Sequence, residues 1–96
     1  MNRLIVKAKH YDIFIFGEVQ GVSFRYFSRQ EADRLGISGF IRNEPDGSIY
    51  IEAEGKEKEL HKFIQWCKNG PPIARVNRVE ARNGTFRGYK NFEIRH

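Results

Sequence analysis

The sequence has few of the residues from which metal centres and disulfide frameworks are built. It contains one cysteine, Cys67, and three histidines that lie far apart along the chain. A single cysteine cannot form an internal disulfide, and the scattered histidines do not have the short spacing of a metal-binding motif. We therefore expect a reduced protein that needs neither a metal ion nor a cofactor.

Long apolar runs are also missing. No stretch approaches the roughly 20 residues needed to span a membrane. The apolar segment Leu4-Ile5-Val6 is short and is followed by charge, so we expect no signal peptide. With only three prolines and with 30% charged residues, the chain does not have the composition of a disordered protein. These features predict a cytoplasmic, globular protein with no membrane contact.

The residues that are present suffice for one small domain. The chain has 96 residues, of which 40% are hydrophobic and 14% aromatic, enough for one core. This size excludes multi-domain proteins and the larger dinucleotide-binding enzymes. Seventeen Lys and Arg against twelve Asp and Glu give a net charge of +5, which attracts anions. Nucleic acid is one such anion, but the basic residues are dispersed, which is more typical of an ordinary basic surface.

The hydrophobic periodicity divides the chain into seven elements in the order βαββαβ, followed by a short terminal strand. This order is that of an α+β ferredoxin-like sandwich, with an antiparallel sheet and two helices on one face. Right-handed crossovers would place the first and third strands side by side in the centre. The predicted strands are 11–19, 37–43, 48–54, 74–82 and 90–95, and the predicted helices are about 22–35 and 56–69.

Two expectations concern polar residues of the sheet and the termini. In the third strand, apolar residues alternate with Tyr50, Glu52 and Glu54, so we expect one face of that strand to contact water. His10 and His96 lie near the ends of the chain, where we expect both side chains to be solvated.

The segment between the first strand and the first helix carries the most informative pattern. Residues 17–25 read G-E-V-Q-G-V-S-F-R. Such a turn exposes backbone N–H groups, and the helix N-terminus adds partial positive charge. Gly21 lets the chain curl so that these groups converge on an anion, and Arg25 can add a bidentate guanidinium. On spacing alone, an ordinary connection with a surface arginine is the simpler interpretation.

Asn43 is the second candidate, at the end of the second predicted strand. It stands beside the turn 45–47, which reads P-D-G, and an asparagine there most often caps the turn. The alternative is that its amide, which both donates and accepts hydrogen bonds, holds a water molecule near the anion-binding loop.

Both segments carry the motifs of a known family. Residues 17–25 resemble the acylphosphatase signature G-x-V-Q-G-V-x-F-R at every specified position, and residues 39–47, G-F-I-R-N-E-P-D-G, are similar to the second motif of that family. The resemblance covers roughly residues 9–95 and includes 68–72 and 92–94. It implies a single acylphosphatase-like domain over 1–96, of which 1–9 form an N-terminal extension.

The resemblance implies roles for individual residues. Arg25 would be the catalytic arginine that binds phosphate, and Asn43 would orient the water. Ser23 occupies a position that is frequently glycine in the family. The phosphate cradle would consist of the backbone amides of Gln20, Gly21, Val22, Ser23 and Phe24.

The reaction implied by the resemblance is metal-free hydrolysis of the carboxyl-phosphate bond of acyl phosphates to carboxylate and inorganic phosphate. We expect a small acyl phosphate as substrate, phosphate or sulfate as competing anions, and a monomer that binds no nucleic acid. The alternative is a ferredoxin-like binding module without catalysis, which would bind RNA or sense a small molecule. An RNA-binding module needs aromatic residues on its central strands, and the third strand, with two acidic residues, lacks the usual pattern.

Overall fold

The computed structural model describes residues 8–96, which form one five-stranded sheet and two helices. All seven predicted elements are confirmed, with boundaries that shift by at most three residues. None of the helices described is long and apolar enough to cross a membrane. The elements are β1 (Ala8–Glu18), α1 (Phe24–Leu35), β2 (Ser38–Asn43), β3 (Ile49–Lys56), α2 (Glu57–Asn69), β4 (Arg75–Asn83) and β5 (Phe92–Arg95).

The strands follow the ferredoxin-like arrangement, in the order β4-β1-β3-β2-β5. β1 pairs antiparallel with β3 in the centre, as predicted. β1 also pairs antiparallel with β4, and β2 pairs antiparallel with β3. The prediction of an antiparallel sheet needs one correction, because β5 pairs parallel with β2. The chain leaves β4 at the end of the sheet where β2 begins, so a strand added beside β2 from that end must run in the same direction.

Both helices pack their apolar sides against the same face of the sheet. Ile13, Ile15, Ile49 and Ile51 are fully buried and point from β1 and β3 into this core. Each fully buried side chain of this size contributes about 1.5 to 3 kcal/mol through removal of apolar surface from water. The helices supply buried residues at helical spacing, as the periodicity predicted: Phe24, Ser28 and Ala32 from α1, and Leu60, Phe63 and Cys67 from α2.

A bulge near the end of β1 depends on Gly17. The pairing of β1 with β4 changes register between Phe16 and Gly17. Gly17 has a φ of 139°, and a Cβ atom there would lie 2.1 Å from the carbonyl oxygen of Arg75. Only glycine fits both the backbone angle and the close approach of β4. This glycine thereby allows β1 to leave the sheet and enter the loop before α1.

The other end of β1 contains a buried ionic network, which corrects two predictions. His10 and Glu54, both expected to be solvated, are 3% and 1% exposed. His10 Nδ1 donates to Glu54 Oε2 at 2.6 Å, and Nε2 donates to Asp12 Oδ1 at 2.8 Å. The backbone N–H groups of residues 87–89 donate to the same Glu54 carboxylate. The sequence pattern missed this burial because the segment between β4 and β5 crosses over Glu54 from more than 30 residues away.

The hydrogen bonds of this network shift the pKa values of both partners. Burial alone would lower the pKa of His10, but the hydrogen bonds to Glu54 and Asp12 outweigh it, so the pKa is raised. Burial alone would raise the pKa of Glu54, but the hydrogen bonds from His10 and from residues 87–89 hold that pKa below its usual value. At neutral pH the network therefore favours an imidazolium paired with a carboxylate.

This pairing predicts how stability depends on pH. A raised pKa means that the stabilisation from His10 is complete below about pH 6.5, the value of the unfolded chain, and is lost as the pH rises through the folded pKa. His10→Gln should lower the free energy of unfolding by about 3 kcal/mol at pH 6, because Glu54 then lacks its cation. This deficit should shrink towards pH 9.

Urea denaturation from pH 6 to pH 9 measures this difference. His61→Gln is the matched control, because His61 is an exposed histidine on α2, and the change there should alter stability by less than about 0.5 kcal/mol at every pH. A deficit in His10→Gln that stays constant or grows with rising pH would contradict the charged pairing.

Candidate active site

The loop between β1 and α1 is tied by a side chain to the turn between β2 and β3. The Gln20 amide Nε2 donates to the carbonyl oxygens of Glu44 and Ser48, both at 2.8 Å. Glu44 directly follows Asn43 at the end of β2. Gln20 therefore joins the two segments in which the sequence predicted functional residues. A hydrogen-bonded tether of this kind was not foreseen, since only the backbone of Gln20 was assigned a role.

The sign of the backbone angle φ alternates along this loop immediately before α1. Gly21 has a φ of 75° and Ser23 a φ of 61°, whereas Val22 between them keeps a negative φ. This alternation turns successive N–H groups to one side of the chain, as in anion-binding nests. Ser23 makes no side-chain cap to α1, and the first N–H groups of a helix have no partner inside it. The helix N-terminus therefore keeps free donors and a partial positive charge.

Arg25 stands in the first turn of α1, and the chain end holds its guanidinium. Arg25 Nη1 donates to the backbone carbonyl of Arg95 at 3.3 Å and to His96 Nδ1 at 3.2 Å. These contacts orient one side of the guanidinium, and neither partner is a carboxylate. The positive charge of Arg25 is thus not neutralised by a carboxylate within residues 8–96.

Asn43 presents a buried oxygen that lacks a partner. Its Oδ1 atom is buried and accepts no hydrogen bond from the residues that the structure describes. Leaving such an acceptor unsatisfied costs about 1 to 3 kcal/mol, so this oxygen is placed to accept a hydrogen bond from a water molecule or a ligand. The prediction that Asn43 merely caps the β2–β3 turn is not what the contacts show, because Asp46 accepts the hydrogen bonds from Ser48 there.

These elements surround one open cleft of about 620 Å³. Among the residues proposed from the sequence, five line it: Gly21, Ser23, Phe24, Arg25 and Asn43. Gln20 and Val22 do not line the cleft, since Gln20 reaches the β2–β3 turn and Val22 packs against the core. Any contribution from these two residues to anion binding therefore rests on their backbone N–H groups.

Besides Val19 of the signature segment, four residues line the cleft that were not predicted from the sequence. Tyr26 and Arg29 come from α1, while Ile94 and His96 come from the last strand and the residue after it. The helical spacing of Arg29 from Arg25 was a usable signal, since residues four apart share a helix face. No local signal could have brought His96 to the cleft, because its position depends on the parallel addition of β5.

The cleft is cationic. Arg25 and Arg29 line it, and no Asp or Glu side chain is among the lining residues. Glu18, which belongs to the same signature segment, has a side chain that is 79% exposed and lies 3.5 Å from Arg75. The site therefore attracts an anion and does not repel it with an acidic group.

The cluster best suited to a metal ion lies at the opposite end of β1. His10, Asp12 and Glu52 bring three potential ligand atoms within 4.8 Å of one another. Both ring nitrogens of His10 are already hydrogen-bonded to carboxylates, so these contacts account for the cluster as part of the buried network.

Cys67 is buried in the core, where burial raises the pKa of its thiol and makes it a poor nucleophile.

The fold and the cleft together define a ferredoxin-like α+β protein whose candidate site offers backbone donors, arginines and a neutral amide. Comparison with known proteins identifies the family to which the chain belongs within this class. The chain belongs to the acylphosphatase family, whose sequence profile, described as Acylphosphatase, matches residues 11–94.

Individual relatives agree with this assignment. An acylphosphatase of Archaeoglobus fulgidus is 47% identical over 83 residues, which cover 86% of this chain and 93% of the relative. One from a Nocardioides species is 46% identical over 84 residues, covering 88% and 85%. The crystal structure of acylphosphatase from Bacillus subtilis superposes with a TM-score of 0.89 at 36% identity, covering 94% of this chain and all of that one.

Family membership confirms the resemblance read from the two motifs. It identifies the protein as a hydrolase that acts on acyl phosphates, and it does not favour the alternative of a non-catalytic binding module.

The unusual backbone angle of Ser23 leads to a prediction about stability. A non-glycine residue in the left-handed region lowers the free energy of unfolding by about 1 to 2 kcal/mol. A glycine avoids this strain, but its greater conformational entropy in the unfolded chain offsets part of the gain. Ser23→Gly should therefore raise the free energy of unfolding by about 0.5 to 1 kcal/mol, or the Tm by a few degrees.

Gly21→Ala is the opposite control. Gly21 has a similar φ, and no atom lies within 4 Å of an added Cβ, so the substitution introduces backbone strain without a clash. It should lower the free energy of unfolding by about 1 kcal/mol. Thermal denaturation of both variants tests the loop geometry. If Ser23→Gly were destabilising or Gly21→Ala neutral, the left-handed angles would not describe the loop in solution.

Proposed function

We propose that the protein hydrolyses acyl phosphates without a metal ion, by in-line attack of a water molecule on a phosphoryl group held in the cleft. The observation that carries the proposal is the meeting of Arg25 and Asn43 in one cleft, although they come from different segments of the chain. In this mechanism Arg25 and the loop 20–24 bind the phosphoryl oxygens, and Asn43 positions the water.

The chemistry requires little from acid or base side chains. The water oxygen attacks phosphorus, the bond from phosphorus to the acyl oxygen breaks, and its electron pair leaves on the carboxylate. The conjugate acid of that leaving group has a pKa of about 4, so it departs without a general acid. A phosphoryl oxygen takes the proton of the water. The protein positions the water and the phosphoryl group and compensates the negative charge of the phosphoryl oxygens.

Arg25 provides most of this charge compensation. Its guanidinium already donates to the Arg95 carbonyl and to His96, which limits its rotation before substrate binds. A pre-oriented arginine fork can donate two parallel hydrogen bonds to phosphoryl oxygens. The N–H groups at the start of α1 add donors on the same anion.

Asn43 provides the acceptor for the water. Its buried Oδ1, which has no partner among residues 8–96, can accept a hydrogen bond from the water and thereby direct the oxygen lone pair towards phosphorus. Because Gln20 ties the β2–β3 turn to the loop, the distance between the water site and the phosphoryl site is held by the fold.

The same cleft supports the remaining parts of the proposal. Inorganic phosphate or sulfate would compete with substrate, since either anion offers the same oxygens to the loop and to Arg25. Arg25 and Asn43 belong to the same cleft of a single chain, so the proposed reaction requires no group from a second subunit and we propose a monomer. The one cysteine is buried and unpaired, which is compatible with the cytoplasm and with a reducing compartment generally. No nucleic acid partner enters the proposal.

Substitution of Arg25 tests its role in phosphoryl transfer. Arg25→Gln should lower kcat/KM for acetyl phosphate by about 10³-fold, as expected when an arginine that stabilises the transition state is lost. Arg25→Lys should restore less than a tenth of the activity, because a point charge cannot reproduce the planar fork. Release of inorganic phosphate in the presence of a chelator measures the activity.

Arg34→Gln is the matched control for this prediction. It removes one positive charge from the same helix at an exposed residue that is paired with Glu31. Its kcat/KM should stay within about two-fold of wild type. If either Arg25 variant kept more than a tenth of wild-type activity with the Tm unchanged, Arg25 would not be catalytic.

Substitution of Asn43 separates action on water from substrate binding. Asn43→Ala should lower kcat by about 10²-fold while the Kd of inorganic phosphate changes by less than about three-fold, the pattern of an interaction made in the transition state. Steady-state kinetics and phosphate titration by calorimetry give the two quantities. A collapse of phosphate affinity with kcat preserved would assign Asn43 to binding.

A further inference from the structure

The cleft contains a second arginine that the proposed reaction does not use. Arg29 is exposed, lines the cleft with Arg25, and has no hydrogen bond or ion pair to any of residues 8–96. This is unusual for an arginine in this protein. Within the part of the chain described, six others have a carboxylate within 4.0 Å: Arg34, Arg42, Arg75, Arg78, Arg82 and Arg95.

The position of Arg29 relative to Arg25 is set by the helix. Residues four apart lie on the same helix face and differ by about 6 Å along the axis. Arg25 and the free N–H groups mark the N-terminal end of α1 as the place of the phosphoryl group. Arg29 therefore lies one helical turn further from that end and lines the same cleft, within reach of a part of the substrate other than the phosphoryl group.

The charge of the cleft also indicates that Arg29 contacts a part of the substrate other than the phosphoryl group. The phosphoryl group of an acyl phosphate carries up to two negative charges, which Arg25 and the helix N-terminus compensate. Arg29 remains as an additional cation, and no Asp or Glu side chain among the lining residues balances it. A substrate with a neutral acyl chain would leave this cation unused.

Resting on the function proposed above, we propose that Arg29 is a specificity residue that favours acyl phosphates whose acyl group carries a second anionic group. Consider a carboxylate that is joined to the acyl carbon through two methylene groups. In an extended chain its carbon lies roughly 6 Å from phosphorus, because each of the bonds between them is about 1.5 Å long. That separation is close to the helical rise of about 6 Å between residues 25 and 29, so one anionic group can lie near each arginine. The substrate class is thus the mono-phosphate anhydride of a short dicarboxylic acid.

An isosteric substrate pair tests this inference. Succinyl phosphate carries the distal carboxylate, whereas butyryl phosphate has a chain of the same number of carbons and no second charge. The quantity of interest is the ratio of their kcat/KM values, succinyl over butyryl. In wild type this ratio should exceed one, and Arg29→Gln should lower it about ten-fold, mainly through KM for succinyl phosphate. Arg29→Lys should keep part of the preference, because a point charge still attracts a carboxylate.

Lys58→Gln controls for general electrostatic attraction. It removes the same charge from an exposed position on α2 that does not line the cleft, so the ratio should stay at the wild-type value. Long-range attraction by net charge would instead lower the ratio equally in both variants, which would overturn the inference.

The remaining outcomes are equally decisive. If Arg29→Gln lowered activity on both substrates by the same factor, Arg29 would contact the transferred phosphoryl group and not the acyl end. If the variant changed neither value, Arg29 would have no part in recognition. Acetyl phosphate separates these results from a failure of the proposed function, since wild type must hydrolyse it whether or not Arg29 selects the acyl group.

Discussion

The pairing of β1 and β2 with the central strand β3 is the constraint on which the cleft depends. Ile49 of β3 is the cross-strand partner of both Ile15 in β1 and Asn43 in β2. Neighbouring strands lie about 4.8 Å apart, so the end of β1 and the end of β2 are separated by only two strand spacings. The signature loop and Asn43 therefore emerge at the same end of the sheet, where the Gln20 side chain joins them.

The opposite end of the sheet contributes indirectly to the same site. His10 and the backbone N–H groups of residues 87–89 hold Glu54 in a buried network. This network fixes the segment that crosses from β4 to the other edge and delivers β5 beside β2. The end of β5 then supplies the acceptors that orient Arg25. A polar cluster with no place in the proposed chemistry thus helps to position Arg25, the arginine that we propose to be catalytic.

The sequence predicted what depends on local patterns. Periodicity located all seven elements, and the motifs located Arg25 and Asn43. It failed where contacts join distant parts of the chain: the burial of His10 requires a segment more than 70 residues away, and the parallel course of β5 follows from where β4 ends. The sequence assigned no role to Arg29, because periodicity separates only buried from exposed sides of a helix, whereas a cleft beside a helix is lined by exposed side chains.

The central claim is that the backbone between β1 and α1, together with Arg25, holds the phosphoryl group. Titration of the ¹⁵N-labelled protein with inorganic phosphate at constant ionic strength tests this most directly by NMR. The account predicts saturable shifts that are largest for the N–H groups of residues 21–25, and their loss in Arg25→Gln. Shifts spread over the arginines of β4, or equal shifts in the variant, would show that phosphate binds the basic surface at large and would contradict the account.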